Sequence, residues 1–171
     1  MKRLFAAVVL AISVSGCAHY EPSVPADYTG PKAKIKDTIK YYSGSHVDMF
    51  FLTHVDGMEI NNSRFKTLSA NRGRGFEMEP LTPMNPIPAR PVVITLKART
   101  MYGAPILELT NAIYQVTGDV SFTPDADKTY YVKGELGDNY SAVWLEDSDT
   151  HVVIDKKIEL NGSAKLGIMD K

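Results

Sequence analysis

Between Tyr114 and Thr123 the chain alternates without a break. Tyr114, Val116, Gly118, Val120 and Phe122 fall on one side, and Gln115, Thr117, Asp119, Ser121 and Thr123 on the other. Successive side chains of an extended strand point to opposite faces, so this run predicts a strand with one face in a core and one in water. The same period of two sets Val92, Ile94, Leu96 and Ala98 against Val93, Thr95, Lys97 and Arg99. It returns in 129–136, where Tyr130, Val132 and Leu136 oppose Thr129, Lys133 and Glu135. Met49-Phe50-Phe51-Leu52, inside the run 47–55, is apolar on both faces, as a central strand requires. No segment holds a 3.6-residue apolar period, which argues against a helical domain.

Turn chemistry divides these runs. Asp56-Gly57 predicts a tight hairpin into Met58-Glu59-Ile60. Pro124 to Asp127, Gly137 to Asn139 and Glu146 to Thr150 punctuate the C-terminal half, with Tyr140 to Leu145 and then Val152 and Ile154 continuing the pattern. Residues 32–42, with Ala33, Ile35 and Ile39, read as one first strand. Asn61 to Glu79 is polar and contains glycine, and is expected to be irregular. Pro80, Pro83, Pro86, Pro88 and Pro91 exclude a central strand or helix interior from 80–91, which reads as a long surface connection. Residues 104–112 fit either a short strand or a helical turn. Together these features predict an all-β domain over 32–171: an antiparallel β-sandwich, immunoglobulin-like or transthyretin-like, of about seven or eight strands with a long proline-rich loop. A partly open barrel is the alternative.

The N-terminal end is of another kind. Lys2 and Arg3 precede the apolar stretch Leu4 to Val14, which is too short to span a bilayer, since that takes roughly twenty apolar residues. It fits a secretory signal. The stretch ends in Val14-Ser15-Gly16-Cys17, and Cys17 is the only cysteine of the chain. The arrangement resembles the lipobox of bacterial lipoprotein precursors. That resemblance implies removal of residues 1–16 as a leader and acylation of Cys17 as the new N-terminus. Ala18, where an aspartate would imply inner-membrane retention, implies the outer membrane. The covalent lipid on Cys17 would be the chain's only attached group and the membrane its first partner. Residues 17–31, with Pro22, Pro25 and Pro31, are expected to form a flexible tether, up to roughly 40 Å long if PPII-like. With the cysteine taken by lipid no disulfide can form, and the fold must hold by its core.

The charge is low. A formal net charge of −1 becomes about −3 once Lys2 and Arg3 leave. No basic patch is evident in the sequence, so neither nucleic acid nor anionic lipid is expected as the partner. Arg72-Gly73-Arg74-Gly75 has donors for a phosphate or sulphated glycan, but lacks the strand-loop-helix setting of a phosphate loop. Leu68-Ser69-Ala70-Asn71-Arg72 is similar to part of the helix by which outer-membrane anchoring domains bind peptidoglycan. The family's upstream aspartate and glycine are missing, so no role is carried over. Glu146, Asp147 and Asp149 could supply oxygens to Ca²⁺, yet without the distal glutamate of a calcium loop they read as turn residues, as do Asp125 and Asp127. His46, His54 and His151 lack zinc-site spacing.

Tyr140 and Trp144 form a candidate ligand platform, low in specificity. A three-residue hairpin loop at 137–139 would pair Val132 with Trp144 and bury the indole. A two-residue loop at Asp138-Asn139 would turn it outward. The buried arrangement is expected, because tryptophan is usually buried. Around 135–152, a glycine-punctuated Tyr-x-Val-x-Gly strand followed by Ala-Val-Trp-Leu-Glu-Asp also resembles the C-terminal hairpin of small exported bacterial β-proteins, with a shared part from about Val116 to Ile154. The resemblance implies the sandwich fold and carries no catalytic residue. No catalytic motif is present. The expected function is a non-enzymatic outer-membrane lipoprotein, periplasmic or surface facing, that binds a protein or envelope component. An envelope hydrolase or carbohydrate-binding module, and a structural part of a secretion or surface assembly, are the alternatives.

Overall fold

A computed structural model describes residues 20–171. The leader 1–16, Cys17 and the first part of the expected tether lie outside the described residues. Among the described residues, ten strands build two sheets packed as a sandwich. They are β1 (Lys32–Lys36), β2 (Thr38–Ser43), β3 (His46–Val55), β4 (Met58–Glu59), β5 (Met84–Pro88), β6 (Val92–Tyr102), β7 (Gln115–Phe122), β8 (Thr129–Glu135), β9 (Tyr140–Asp147) and β10 (Val153–Asn161). Two helices interrupt them, α1 (Ser63–Ala70) and α2 (Pro105–Thr110). The first sheet runs β10-β9-β8-β1-β5; the second runs β2-β3-β6-β7, with β4 paired to β3. Pairing is antiparallel except between β1 and β8, which are parallel. No helix among the described residues is long and apolar enough to cross a membrane.

The inward faces follow the alternation. Ile35, Leu52, Ile94, Leu96, Val120, Val132 and Leu145 are fully buried between the sheets. Each such side chain stabilises by about 1.5–3 kcal/mol relative to exposure. Two glycines serve this packing. A Cβ at Gly134 would stand 2.5 Å from the Phe50 ring, and one at Gly118 would stand 2.9 Å from Ile158. The missing side chains let Phe50 lie on β8 and let β10 close over β7. Asp56 and Gly57 both take positive φ, at 50° and 79°, as the expected hairpin turn demands.

The first strand is not single. Residues 32–36 belong to one sheet and 38–43 to the other, so the chain changes sheets at Asp37. Asp37 is fully buried. Its carboxylate accepts from the Leu52 N–H at 3.0 Å, from the Asn85 amide at 3.3 Å and from the Ser63 hydroxyl. One side chain thus ties β3, β5 and the start of α1 to the crossing.

Two further expectations change. Residues 61–79 contain α1, capped by Asn62, whose side chain accepts from the Phe65 N–H at 3.2 Å. Apolar periodicity misses this helix because the residues it buries are Ser63 and Thr67, one turn apart and both polar. The Thr67 hydroxyl accepts from the Leu81 N–H at 2.9 Å. The proline-rich connection contains β5, paired with β1 at a sheet edge. Pro86 and Pro88 alternate with residues that can donate, and Ala89, in phase with the latter, bonds the Pro31 carbonyl at 2.9 Å. Proline is compatible with an edge strand in that phase. Residues 104–112 hold α2, with Pro105 in its first turn. These changes raise the count from seven or eight strands to ten.

Residues 20–31 of the expected tether contact the domain. The Tyr20 ring lies 4.9 Å from that of Phe65, the Glu21 N–H bonds the Glu59 carbonyl at 3.0 Å, and the Ser23 hydroxyl bonds the Pro86 carbonyl at 2.6 Å.

Burial raises the Asp37 pKa from 3.8 to about 7, against the opposing pull of its Ser63, Leu52 and Asn85 hydrogen bonds. A raised carboxyl pKa means that the folded state holds the proton more tightly than the unfolded state. This group's contribution is therefore full below its unfolded value and is lost as pH rises toward about 7. Thermal unfolding of the wild type and Asp37→Asn across that window should show the wild type losing stability relative to the variant, with no further change above it. Asp37→Ala, which strands three donors, should cost about 3–5 kcal/mol at neutral pH.

Candidate functional site

Part of the outer face of the second sheet is covered from water. Met49 and Phe51 of β3 and Met101 of β6 point outward yet are fully buried, packed with Val47 and with Met78 from the segment after α1. Beside this apolar patch, α1 and the sheet enclose a recess of about 260 Å³. Its floor is Phe51, Thr53, Lys97, Arg99 and Gln115, and Arg64 and Phe65 of α1 form a wall. Strand register accounts for the floor. Phe51 pairs with Lys97, and Arg99 pairs across to Gln115, so all four share one face. Thr53, two residues after Phe51 and within an irregularity between Leu52 and His54, also lines the recess.

The recess is electrostatically lopsided. Arg99 is only 6% exposed, and one of its terminal nitrogens donates to Gln115 Oε1 at 2.7 Å. The Nε atoms of both Arg99 and Arg64 are buried without a hydrogen-bond partner. Among the described residues, no carboxylate lies within ion-pair distance of Arg64, Lys97 or Arg99. Burial holds Lys97 below the ordinary lysine value, and the Arg99 and Arg64 charges push it further down against Glu59 at the rim. Arg99 is lowered in the same way, by burial and then by Arg64, with Glu108 of α2 opposing. Glu108 does not line the recess. A buried guanidinium without a counter-charge is unfavourable by several kcal/mol, so the arrangement is complementary to an anion.

The recess holds no prepared nucleophile. Thr53 donates its hydroxyl proton to the Thr95 carbonyl at 3.0 Å, leaving its oxygen to accept from His54 Nδ1 at 2.9 Å. In that arrangement the histidine cannot act as a base toward the hydroxyl. At the far end of β3, His46 stacks between Tyr42 and Tyr102 with centroids 4.5 and 4.7 Å apart. Asp48 beneath them is buried, and its two oxygens accept from Thr100 and Tyr42, both at 2.8 Å. That cluster is internally satisfied.

The residues singled out from the sequence lie elsewhere. Arg72 and Arg74 follow α1 on a turn in which Gly73 and Gly75 take φ of 83° and 70°. Arg74 pairs with Glu79 at 3.0 Å, an exposed contact worth at most about 1 kcal/mol. Arg72 lines a shallow groove of about 660 Å³ beside Tyr20, Lys66 and Leu81. The two guanidinium groups do not form a joint cradle. Asp147 caps its turn, accepting at one oxygen from the Asp149 and Thr150 N–H groups, both at 3.0 Å, and at the other from Lys128 at 3.1 Å. Among the described residues, no group of three His, Cys, Asp or Glu is placed to hold a metal ion.

Trp144 departs from the expected register. It pairs with Lys133, while Val132 pairs with Leu145, so Val143 and Leu145 enter the core and the indole turns outward. It is half-buried there, with Lys157 Nζ 4.1 Å above the ring. Tyr140 shares that face and donates its hydroxyl to Glu159, a bond that holds its pKa up at about 12. Local partners occupy both rings. Sequence alternation placed Lys97 and Arg99 on the outer face of their strand, but there they read as ordinary solvated charges. Only the helix that covers them distinguishes them. No protein-family model, curated protein or solved structure matches the chain.

Lys97→Met should relieve the repulsion and fill the floor with apolar volume. A gain of about 1 kcal/mol, or roughly 2–4 °C in Tm, is expected at low ionic strength. The gain should shrink in about 1 M salt, where exposed parts of the repulsion are screened. A lower Tm in the variant would mean that Lys97 has a stabilising partner.

Proposed function

We propose that this chain is a non-enzymatic outer-membrane lipoprotein, held by lipid on Cys17, that binds an envelope component at the recess between α1 and the outer face of the second sheet. The observation that carries the reading is the uncompensated Arg64–Lys97–Arg99 cluster, in which Arg99 is buried and Arg64 and Lys97 are half-buried. A folded domain gains nothing in stability from such a cluster, so its presence points to a ligand. The lipobox-like run before Cys17 supports the membrane location. The Thr53 hydroxyl, committed to a backbone carbonyl, favours binding over hydrolysis.

A photoreactive residue placed at Glu59, on the rim, should form an adduct in intact envelopes that the same residue at exposed Lys156 does not form. The Glu59 adduct should disappear in an Arg99→Met background. Equal labelling from both positions would defeat the assignment of the recess. Independently, Cys17→Ser should abolish acylation and release the protein from the membrane fraction; an acylated, membrane-bound variant would refute the anchor.

A further inference from the structure

We infer that the recess is a site for one phosphate monoester group, clamped between Arg64 and Arg99 with Lys97 beneath it. The inference deepens the reading of the recess as a binding site. It rests on three features. First, the donors are unused: the buried Nε atoms of Arg64 and Arg99 have no partner, and Arg99 is more than nine-tenths buried. Guanidinium forks meet tetrahedral and planar oxyanions with paired N–H donors, a geometry that an ammonium cannot supply.

Second, the charge selects the class of anion. Arg64, Lys97 and Arg99 bring three positive charges, and Glu59 at the rim returns one negative. Lys171 also reaches the rim. Its ammonium donates to the neutral Asn111 and Leu109 carbonyls at 2.6 and 3.2 Å, which orient it and leave its charge in place. At least two positive charges are left to balance. A phosphate monoester near neutral pH carries close to two negative charges, and a carboxylate carries one. Burial first, and the neighbouring cations after it, depress the basicity of Lys97 and Arg99.

Third, the setting suits a small head on a larger body. The recess of about 260 Å³ admits a phosphate with a few attached atoms. Phe51 and Phe65 supply an apolar flank for whatever carries it. Phe65 also touches Tyr20, three residues from Cys17. Three extended residues span only about 10 Å, so a lipidated Cys17 would hold the recess within reach of lipid head groups. The phosphate could therefore belong to a soluble ester or to a phosphatidate-type lipid, and the measurement separates the two.

The test uses the full chain in neutral detergent. Calorimetric titrations are run with inorganic phosphate, with acetate, and with a short-chain phosphatidic acid below its micellar concentration. Sodium chloride at matched ionic strength is the control. Phosphate should bind with one-to-one stoichiometry, at least about tenfold more tightly than acetate. Arg99→Met should weaken it by at least about thirtyfold, as loss of one partner in a buried charge pair does. Lys97→Met, which should fold at least as well as the wild type, should weaken it by about tenfold. Lys156→Met on β10 should leave it unchanged.

Phosphatidic acid binding much more tightly than inorganic phosphate would assign the lipid source. Equal affinities would assign a soluble ester. Phosphate no better than chloride, acetate equal to phosphate, or unchanged affinity in folded Lys97→Met would each overturn the inference. The inorganic phosphate arm does not depend on Cys17, and envelope crosslinking does not depend on phosphate. Failure of the ligand class is therefore distinguishable from failure of the membrane-bound reading.

Discussion

The sandwich depends on how the chain passes from one sheet to the other at Asp37. A strand that leaves one sheet for the opposite one must break its ladder. The broken end exposes backbone donors in a place that water does not reach. Asp37 answers this with a carboxylate at the corner itself. Leu52 lies where the pairing of β2 with β3 has run out, and its N–H finds the Asp37 oxygen. The same carboxylate holds Asn85 on β5 and Ser63 on α1, so the edge of the first sheet and the helix on the second are positioned by one group. The cost is a charge, or a retained proton, in the interior, and that is why burial dominates its raised pKa.

How legible each part was follows from which signals period and turn chemistry carry. The run 114–123 and the Asp56-Gly57 hairpin were visible because one buried face and one left-handed turn each leave a local mark. The crossing at Asp37 was hidden because Ile35 and Ile39 keep an apolar period through it, while the change of sheet is a tertiary event. Helix α1 was hidden because its buried stripe is Ser63 and Thr67, whose partners are an aspartate 26 residues earlier and a backbone N–H 14 residues later. β5 was hidden because proline is depleted in strands as a class, yet an edge strand can carry it at alternate positions. Trp144 turned on a single step of register, and tryptophan's general preference for burial was weaker than the geometry of the 136–139 loop.

The recess was beyond the reach of the sequence for a related reason. Alternation puts Lys97 and Arg99 on the face of β6 that an isolated sandwich would expose. What covers that face is the polar helix that periodicity cannot see, together with the segment that brings in Met78. Asp37 is thus upstream of the recess as well as of the core. It fixes Ser63, the residue next to Arg64, and so sets where that guanidinium stands relative to the sheet.

The overall charge of the chain and the character of the recess point in opposite directions, and both can hold. Net charge acts over distances comparable with the Debye length, about 8 Å at physiological ionic strength, and governs how a protein is steered toward large charged surfaces. A site a few ångströms across is governed by desolvated neighbours, and there three cations facing one carboxylate outweigh a mild surplus of acid elsewhere. A weakly acidic body with one buried basic socket would be repelled from a polyanionic surface as a whole. It would still accept a single anionic group presented at the end of a molecule. Such a socket discriminates by the depth at which the charge must be delivered, because an anion at the rim stays hydrated and only one that enters between the guanidinium groups meets the unpaired donors.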